Sequence, residues 1–302
     1  MSHRWHRQWT RMVGALCLAL VPVWGWASAC EDPRPLRMAL IPKSNVQQQR
    51  IALVPLLRAL ELALQRRVEV GLFPSYGAVI EGLLSDAVDV AELGPASYAL
   101  LMDREASAVA PFAALSGRDA TEPGKVGAYH SVLITRKRSG LATLRQLKGR
   151  SVALTDPAST SGALLPRSGM RQLTGLPLDA YFSRVSYAGS HDRAILALHS
   201  GRVDAAFVST NRLDDAVRKG VLDGDDITVV WRSPPVPTDP FVLRNRLCPG
   251  VAAAIREVFL NPQPGYAAMF QGLDAGPFVA VSDLDYQGVR NLLARDKDAP
   301  RQ

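Results

Sequence analysis

The sequence is poor in the features that announce most chemistries. Its 302 residues hold three cysteines, Cys17, Cys30 and Cys248, and five histidines. None stands at a metal-ligand spacing from the others or from carboxylates, so no zinc-type centre is expected. There is no Gly-x-Ser-x-Gly elbow and no GxGxxG turn, and Gly124-Lys125 runs into Val126 where a phosphate loop needs a hydroxyl residue. A Ser–His–Asp set can be assembled from Ser159, His191 and Asp239, but no motif orients them as nucleophile, base and orienter. An enzyme is therefore not expected, and no catalytic residue, metal or cofactor is assigned. Lys and Arg exceed Asp and Glu by 35 to 28 without forming a run, which leaves no surface for nucleic acid. After residue 29 no apolar stretch is long enough to cross a bilayer. Internal repeats and low-complexity tracts are also missing.

What is present starts with a leader. Arg4, Arg7 and Arg11 form a basic segment, Met12 to Trp26 is apolar but broken by Pro22 and Gly25, and Ala27-Ser28-Ala29 offers a cleavage site. Residues 1–29 are read as a signal peptide and the protein as periplasmic. Loss of the leader removes three Arg and no acid, so the formal net charge falls from +7 to +4. That balance favours small anions only weakly. Cys30 and Cys248 remain, and an exported chain can join them. Cys30 directly after small residues also fits a lipid anchor, ranked second because Ala27 stands where an aliphatic residue is usual. The length left predicts two domains.

Strand and helix patterns alternate, which predicts α/β layers with parallel strands. Strands are expected over 36–42, 68–73, 88–94, 129–135, 151–155, 185–187, 203–208 and 227–231. Helices are expected over 46–66, 76–84, from Pro95, over 143–148, after Ser159, and over 191–199 and 211–219. Two segments look like crossings between domains: the polar, turn-rich 117–127 and the proline-stiffened 233–240. An inserted domain between two crossings describes a cleft that can hinge shut. The expected division is 30–125 with 236–302 for the first lobe and 126–235 for the second.

Ala153-Leu154-Thr155-Asp156-Pro157-Ala158-Ser159-Thr160-Ser161-Gly162 is the most informative run. It predicts a strand end, a turn at Asp156-Pro157 and a helix start crowded with hydroxyls. Free N–H groups and the positive end of the helix dipole favour an anion there, and three hydroxyls add donors. The segment has no Lys or Arg, so hydrogen bonds rather than bulk charge are expected to do the selecting. An ordinary N-cap is the competing reading.

Leu141 to Thr155 resembles an element of type II periplasmic solute-binding proteins. So do Tyr129 to Ile134, Asp156 to Gly162, Gly189 to Asp192, Val203 to Ala206 and Trp231 to Pro240. Ser75 to Ile80 and Leu93 to Tyr98 extend the likeness into the N-terminal part. Together they resemble the phosphonate/phosphite-binding branch that serves ATP-driven uptake. The resemblance implies a two-lobed clamshell, each lobe a mostly parallel sheet flanked by helices, with the ligand between them. It implies that Tyr76 and Tyr129 contact the ligand head group. Ser159, Thr160 and Ser161 would hold its oxygens, and His191 and Asp239 would complete the pocket.

Asp239 carries the sharpest physical argument. A carboxylate facing an anion repels it unless one of the two is protonated. A singly protonated phosphorus oxyanion has an O–H to give, because its second ionisation lies near neutrality, whereas sulfate has none. At Asn211 the resemblance implies a departure: relatives that bind aminoalkylphosphonates can hold a carboxylate there. A neutral Asn211 favours phosphite, phosphate-like or small alkylphosphonate ligands; a plain N-cap is its other reading. Glu92 stands where relatives have an apolar residue, and its role is left open. The expected protein is a monomer that captures a small phosphorus oxyanion and delivers it to an ABC permease and its ATPase. The alternatives are the same fold with a sulfonate or thiamine-precursor pyrimidine, and a periplasmic sensor for a signalling partner.

Overall fold

The structure, a computed structural model, describes residues 30–117 and 125–298. The expected leader at 1–29 and residues 118–124 of the first crossing lie outside the described residues.

The chain opens with β1 (Leu36–Leu40), α1 (Val46–Ala52) and α2 (Val54–Leu64). One helix was expected over 46–66, but Pro55 lacks an N–H and its ring crowds the preceding turn, so the helix stops at Leu53 and restarts. β2 (Val68–Gly71), α3 (Tyr76–Leu84), β3 (Val90–Glu92), α4 (Pro95–Arg104) and β4 (Val109–Leu115) follow. β5 (Ala128–Tyr129) leads to β6 (Ser131–Arg136), α5 (Leu144–Leu147) and β7 (Ser151–Leu154). Next come α6 (Leu165–Thr174), α7 (Leu178–Tyr181), β8 (Arg184–Tyr187), α8 (His191–His199), β9 (Ala205–Ser209), α9 (Thr210–Arg218) and β10 (Ile227–Arg232). β11 (Val236–Pro237), β12 (Pro240–Arg244), α10 (Pro249–Leu260), α11 (Tyr266–Leu273), β13 (Phe278–Ala280) and α12 (Gln287–Asp298) complete the order.

These strands form two sheets and a short ribbon. The six-stranded sheet runs β13-β4-β12-β3-β1-β2 and the five-stranded sheet β10-β6-β9-β7-β8. β1 lies parallel to β2 and β3, and β7 lies parallel to β8 and β9. β12, β13 and β6 run against their neighbours, so each sheet is mostly rather than wholly parallel. β5 pairs with β11, Tyr129 opposite Val236, where the chain leaves and re-enters the first lobe.

Side-chain alternation explains why both sheets are covered on both faces. In β1, Leu36, Met38 and Leu40 join the cluster under α2 and α10, while Ala39, with Ile41 just past the strand, joins the opposite cluster with α3 and α4. In the second lobe, Val132, Ile134, Ala206 and Val208 face α8, and Leu133, Ala205 and Phe207 face α6 and α7. The helices answer in kind: Leu56, Leu60 and Leu64 line one face of α2 at four-residue spacing. Each such leucine contributes about 1.5–3 kcal/mol when fully buried.

Near the start of the described chain, Cys30 is joined to Cys248 by a disulfide spanning 218 residues. Of the two readings of Cys30, the structure has the bridge to Cys248. Buried Arg244 lies beside the bridge, paired with Glu31, Asp86 and Asp89. Among the described residues no helix is long and apolar enough to cross a membrane.

Candidate functional site

The two lobes meet through specific bonds. Ala96 N–H donates to Thr160 Oγ1 at 2.8 Å, and Ser97 Oγ donates to the Ala158 carbonyl at 2.9 Å. Tyr76 N–H reaches Asp156 Oδ2 at 3.3 Å, and His191 N–H reaches the Lys43 carbonyl at 3.3 Å. Ala96 and Ala99 of the first lobe pack with Leu164 and Leu165 of the second, backed by Tyr129, Val236 and Val289 of α12. The clamshell is closed.

Closure leaves a cavity of about 20 Å³, counted as the space open to the centre of a water molecule. On that measure one water needs roughly 10–15 Å³, so the space left between the lobes is small. Tyr76, Tyr129, Ser159, Thr160, Ser161, His191, Asn211 and Asp239 all line it. Lys43, Arg212, Ser209, Ile41 and Gly94 line it too, and sequence reasoning passed over them. Most of these residues lie just beyond the ends of β1, β3, β7, β8 and β9, where parallel α/β sheets place ligands. That rule is the signal that could have found Lys43 and Ser209.

The hydroxyl run is built as expected up to Ser159, which caps the turn by accepting from Gly162 N–H at 3.1 Å. The turn that follows is a π-turn over Thr160–Leu164, in which Leu164 N–H bonds the Ser159 carbonyl; α6 begins only afterwards. The wider i→i+5 spacing leaves the Thr160 and Ser161 N–H groups without a carbonyl inside the turn. Gly162 makes this possible, because a Cβ there would sit 2.1 Å from Thr155 Oγ1. Thr160 Oγ1 accepts from Ala96 N–H and also stands within hydrogen-bond reach of the Tyr129 hydroxyl.

His191 is fixed in one protonation state. Its Nδ1 accepts from Ser209 N–H at 3.3 Å and lies 3.1 Å from Thr155 Oγ1. Nε2 therefore carries the proton and is the ring's donor toward the cavity. Burial, with the charges of Arg212 and Lys43, lowers the imidazole from 6.5 to about 3. Tyr76 and Tyr129 are pushed well above the usual tyrosine value, chiefly by burial and then by the Asp239 charge, and stay protonated. Tyr129 shares hydrogen bonds with Thr160 and Ser161. The Tyr76 hydroxyl is buried and has no protein partner.

Lys43 changes the electrostatic picture. Its Nζ donates to Glu92 Oε1 at 2.6 Å and to Asp239 Oδ2 at 2.9 Å. Burial alone would lower its pKa, but the two carboxylates outweigh it and hold the ammonium charged. Glu92 is raised, first by burial and then by Asp239, against the pull of Lys43. Glu92 thus turns inward to a cation rather than outward to solvent. Arg212 Nη2 is held by Asp192 at 3.0 Å and by Asp215 at 2.8 Å. The hydroxyl segment lacks cations, but the cavity does not: each cation there is matched by two carboxylates. Asn211 is the second residue of α9, whose cap is Ser209, so the N-cap reading of Asn211 does not hold. Tyr98 lies in the core and donates to Asp283 at 2.7 Å, and His130 turns away to the Ser233 carbonyl at 2.8 Å.

Two α/β lobes with a donor-lined cavity between them are the architecture of a clamshell solute-binding protein. Its family model, described as ABC transporter, phosphonate, periplasmic substrate-binding protein, matches residues 38–286, and the chain belongs to that family. It is 31% identical over 272 residues to the phosphonates-binding periplasmic protein of Escherichia coli, across 88% of this chain and 78% of that one. It is 27% identical over 309 residues to the phosphate-import protein of Mycolicibacterium smegmatis, across 92% and 93%. A Prochlorococcus marinus protein solved with methylphosphonate has the same fold, with a TM-score of 0.75 at 19% identity over 87% of this chain and 98% of that one. The family is one of substrate-binding transport components, not of enzymes.

Proposed function

We propose that this chain captures a small phosphorus oxyanion, a phosphonate, phosphite or phosphate-like ion, and presents it to an ABC permease and its ATPase. On this reading residues 30–125 and 236–302 form the first lobe and 126–235 the second. Residues 1–29 direct export, and the mature protein works as a free periplasmic monomer. Tyr76, Tyr129, Ser159, Thr160, Ser161, His191 and Asn211 hold the ligand, and Asp239 takes the proton of a monoprotonated oxyanion.

The observation that carries this reading is the interlobe cavity of about 20 Å³ with many donors and one carboxylate, Asp239, on its wall. Removing water from so small a site strengthens each charge-assisted bond. A sulfonate or sulfate, with no proton at neutral pH, meets Asp239 as a like charge. Titration calorimetry with phosphite, methylphosphonate, phosphate and sulfate tests the reading. Binding of a phosphorus species is expected, with sulfate weaker by about tenfold or more. Asp239→Asn is expected to narrow that gap. Failure of every phosphorus species to bind would overturn it.

A further inference from the structure

One cluster at the cavity wall is built of full charges rather than of hydroxyls and backbone N–H groups. Lys43, Glu92 and Asp239 stand together at the cavity wall, with the ammonium 2.6 Å and 2.9 Å from the two carboxylates. Lys43 follows β1, Glu92 ends β3 and Asp239 precedes β12, so all three belong to the first lobe and their geometry does not wait on closure. Lys43 and Asp239 face the small cavity directly. Lys43 and Glu92 also line the neighbouring, larger space of about 500 Å³, which Asn211 and Arg212 share.

An ammonium between two carboxylates beside an oxyanion cavity is the charge pattern that would receive an aminoalkyl oxyanion, except that the protein supplies the amine. We propose that Lys43 is a specificity-determining residue, whose ammonium fills the seat between Glu92 and Asp239 that the amino group of an aminoalkylphosphonate would otherwise take. This rests on the phosphorus-oxyanion reading above and names the ligands within that class which the site refuses. A ligand carrying its own ammonium would meet Lys43 as a like charge, with Glu92 Oε1 and Asp239 Oδ2 already bonded to it. On the other wall of the small cavity no carboxylate is present: Asn211 is neutral and Arg212 is cationic. A ligand without a cationic tail meets no such conflict. It also gains the third N–H of Lys43, since an ammonium has three donors and only two are spent.

Titration calorimetry of the full mature chain with methylphosphonate and with aminomethylphosphonate tests the inference. The wild type is expected to prefer methylphosphonate by about tenfold or more. Lys43→Ala, checked for folding by circular dichroism, is expected to shift the preference toward aminomethylphosphonate by a similar factor. Equal binding of the two compounds by the wild type overturns the inference whether or not the variant folds. An unchanged preference in folded Lys43→Ala also overturns it. Lys43→Ala with Glu92→Gln leaves a single carboxylate and is expected to show the same shift in smaller measure. A wild type that binds phosphite or phosphate but neither of these two compounds overturns this inference alone, whereas one that binds no phosphorus species removes the functional reading with it, which distinguishes the two failures.

Discussion

Replacing Tyr76 by Phe is expected to weaken binding without weakening the fold. The Tyr76 side chain is 2% exposed, and its hydroxyl has no protein partner in the closed form. A buried polar group left unpaired costs about 1–3 kcal/mol, and a hydrogen bond to a charged partner returns about 1.5–3 kcal/mol. If the oxyanion is the missing partner, Tyr76→Phe removes that return from the complex and the orphan from the empty closed form. In the open form water satisfies the hydroxyl, so the ligand-free protein should unfold at the same urea concentration or a slightly higher one. Affinity for methylphosphonate or phosphite should fall by about ten- to a hundredfold, which is the same 1.5–3 kcal/mol expressed as Kd. Calorimetry and urea titration of the same preparation read both quantities. Loss of stability with unchanged affinity would refute the assignment and make the hydroxyl a structural group. The ring itself packs among Val79, Ile80 and Leu83, and Phe keeps it there.

Other outcomes follow from the same geometry. His191 is held at about 3 against an ordinary 6.5, so the folded protein binds fewer protons than the unfolded chain between those values. Its contribution to stability is full above pH 6.5 and shrinks as pH falls toward 3, by at most about 1.4 kcal/mol per pH unit. Urea titrations at pH 7.5 and 5 should show a shallower fall in His191→Gln than in wild type, and equal slopes would contradict a buried neutral imidazole. A Cβ at Gly94 would lie 3.4 Å from Thr160 Oγ1 across the lobe boundary. Gly94→Ala should therefore bind nearly normally, while Gly94→Val should hold the lobes apart, lowering affinity and enlarging the ligand-bound radius of gyration in small-angle scattering. Gly162→Ala, whose Cβ would meet Thr155, should destabilise by at least about 1–3 kcal/mol in denaturant titration. Reducing the Cys30–Cys248 bridge should cost about 2–5 kcal/mol of stability yet leave ligand affinity within a few-fold, because both cysteines belong to the same lobe.

Much of the frame was legible because it rests on periodicity. β1, α3, α8 and α9 fall within a residue or two of their expected bounds, since apolar spacing and capping residues such as Ser75 and Ser190 mark them. β4 was not legible. Pro111 sits inside it and alanines make up much of the rest, and neither signals a strand. The structure accommodates Pro111 opposite Val242, where the ladder with β12 shifts register. The eight expected site residues come together at one cavity, but only the hydroxyl run after β7 left a local trace; Tyr76, Tyr129, His191, Asn211 and Asp239 were expected from the resemblance. Lys43 leaves none. Its meaning depends on Glu92, 49 residues away, and Asp239, 196 residues away, and such long-range pairing is invisible to a local pattern. Glu92 was puzzling for the same reason: a lone charge at a buried strand end makes sense only beside its cation.

The disulfide also bears on the order of assembly. A chain delivered from its N-terminus presents Cys30 at the outset and Cys248 only 218 residues later, after the whole five-stranded sheet has passed. The bridge therefore cannot close before the second lobe has arrived, and once closed it encloses that lobe within a covalent ring. Until then the native partner of Cys30 is absent. Formation of the native bridge thus serves as a late signal that the inserted lobe is in place and that β12 has returned to the sheet it left.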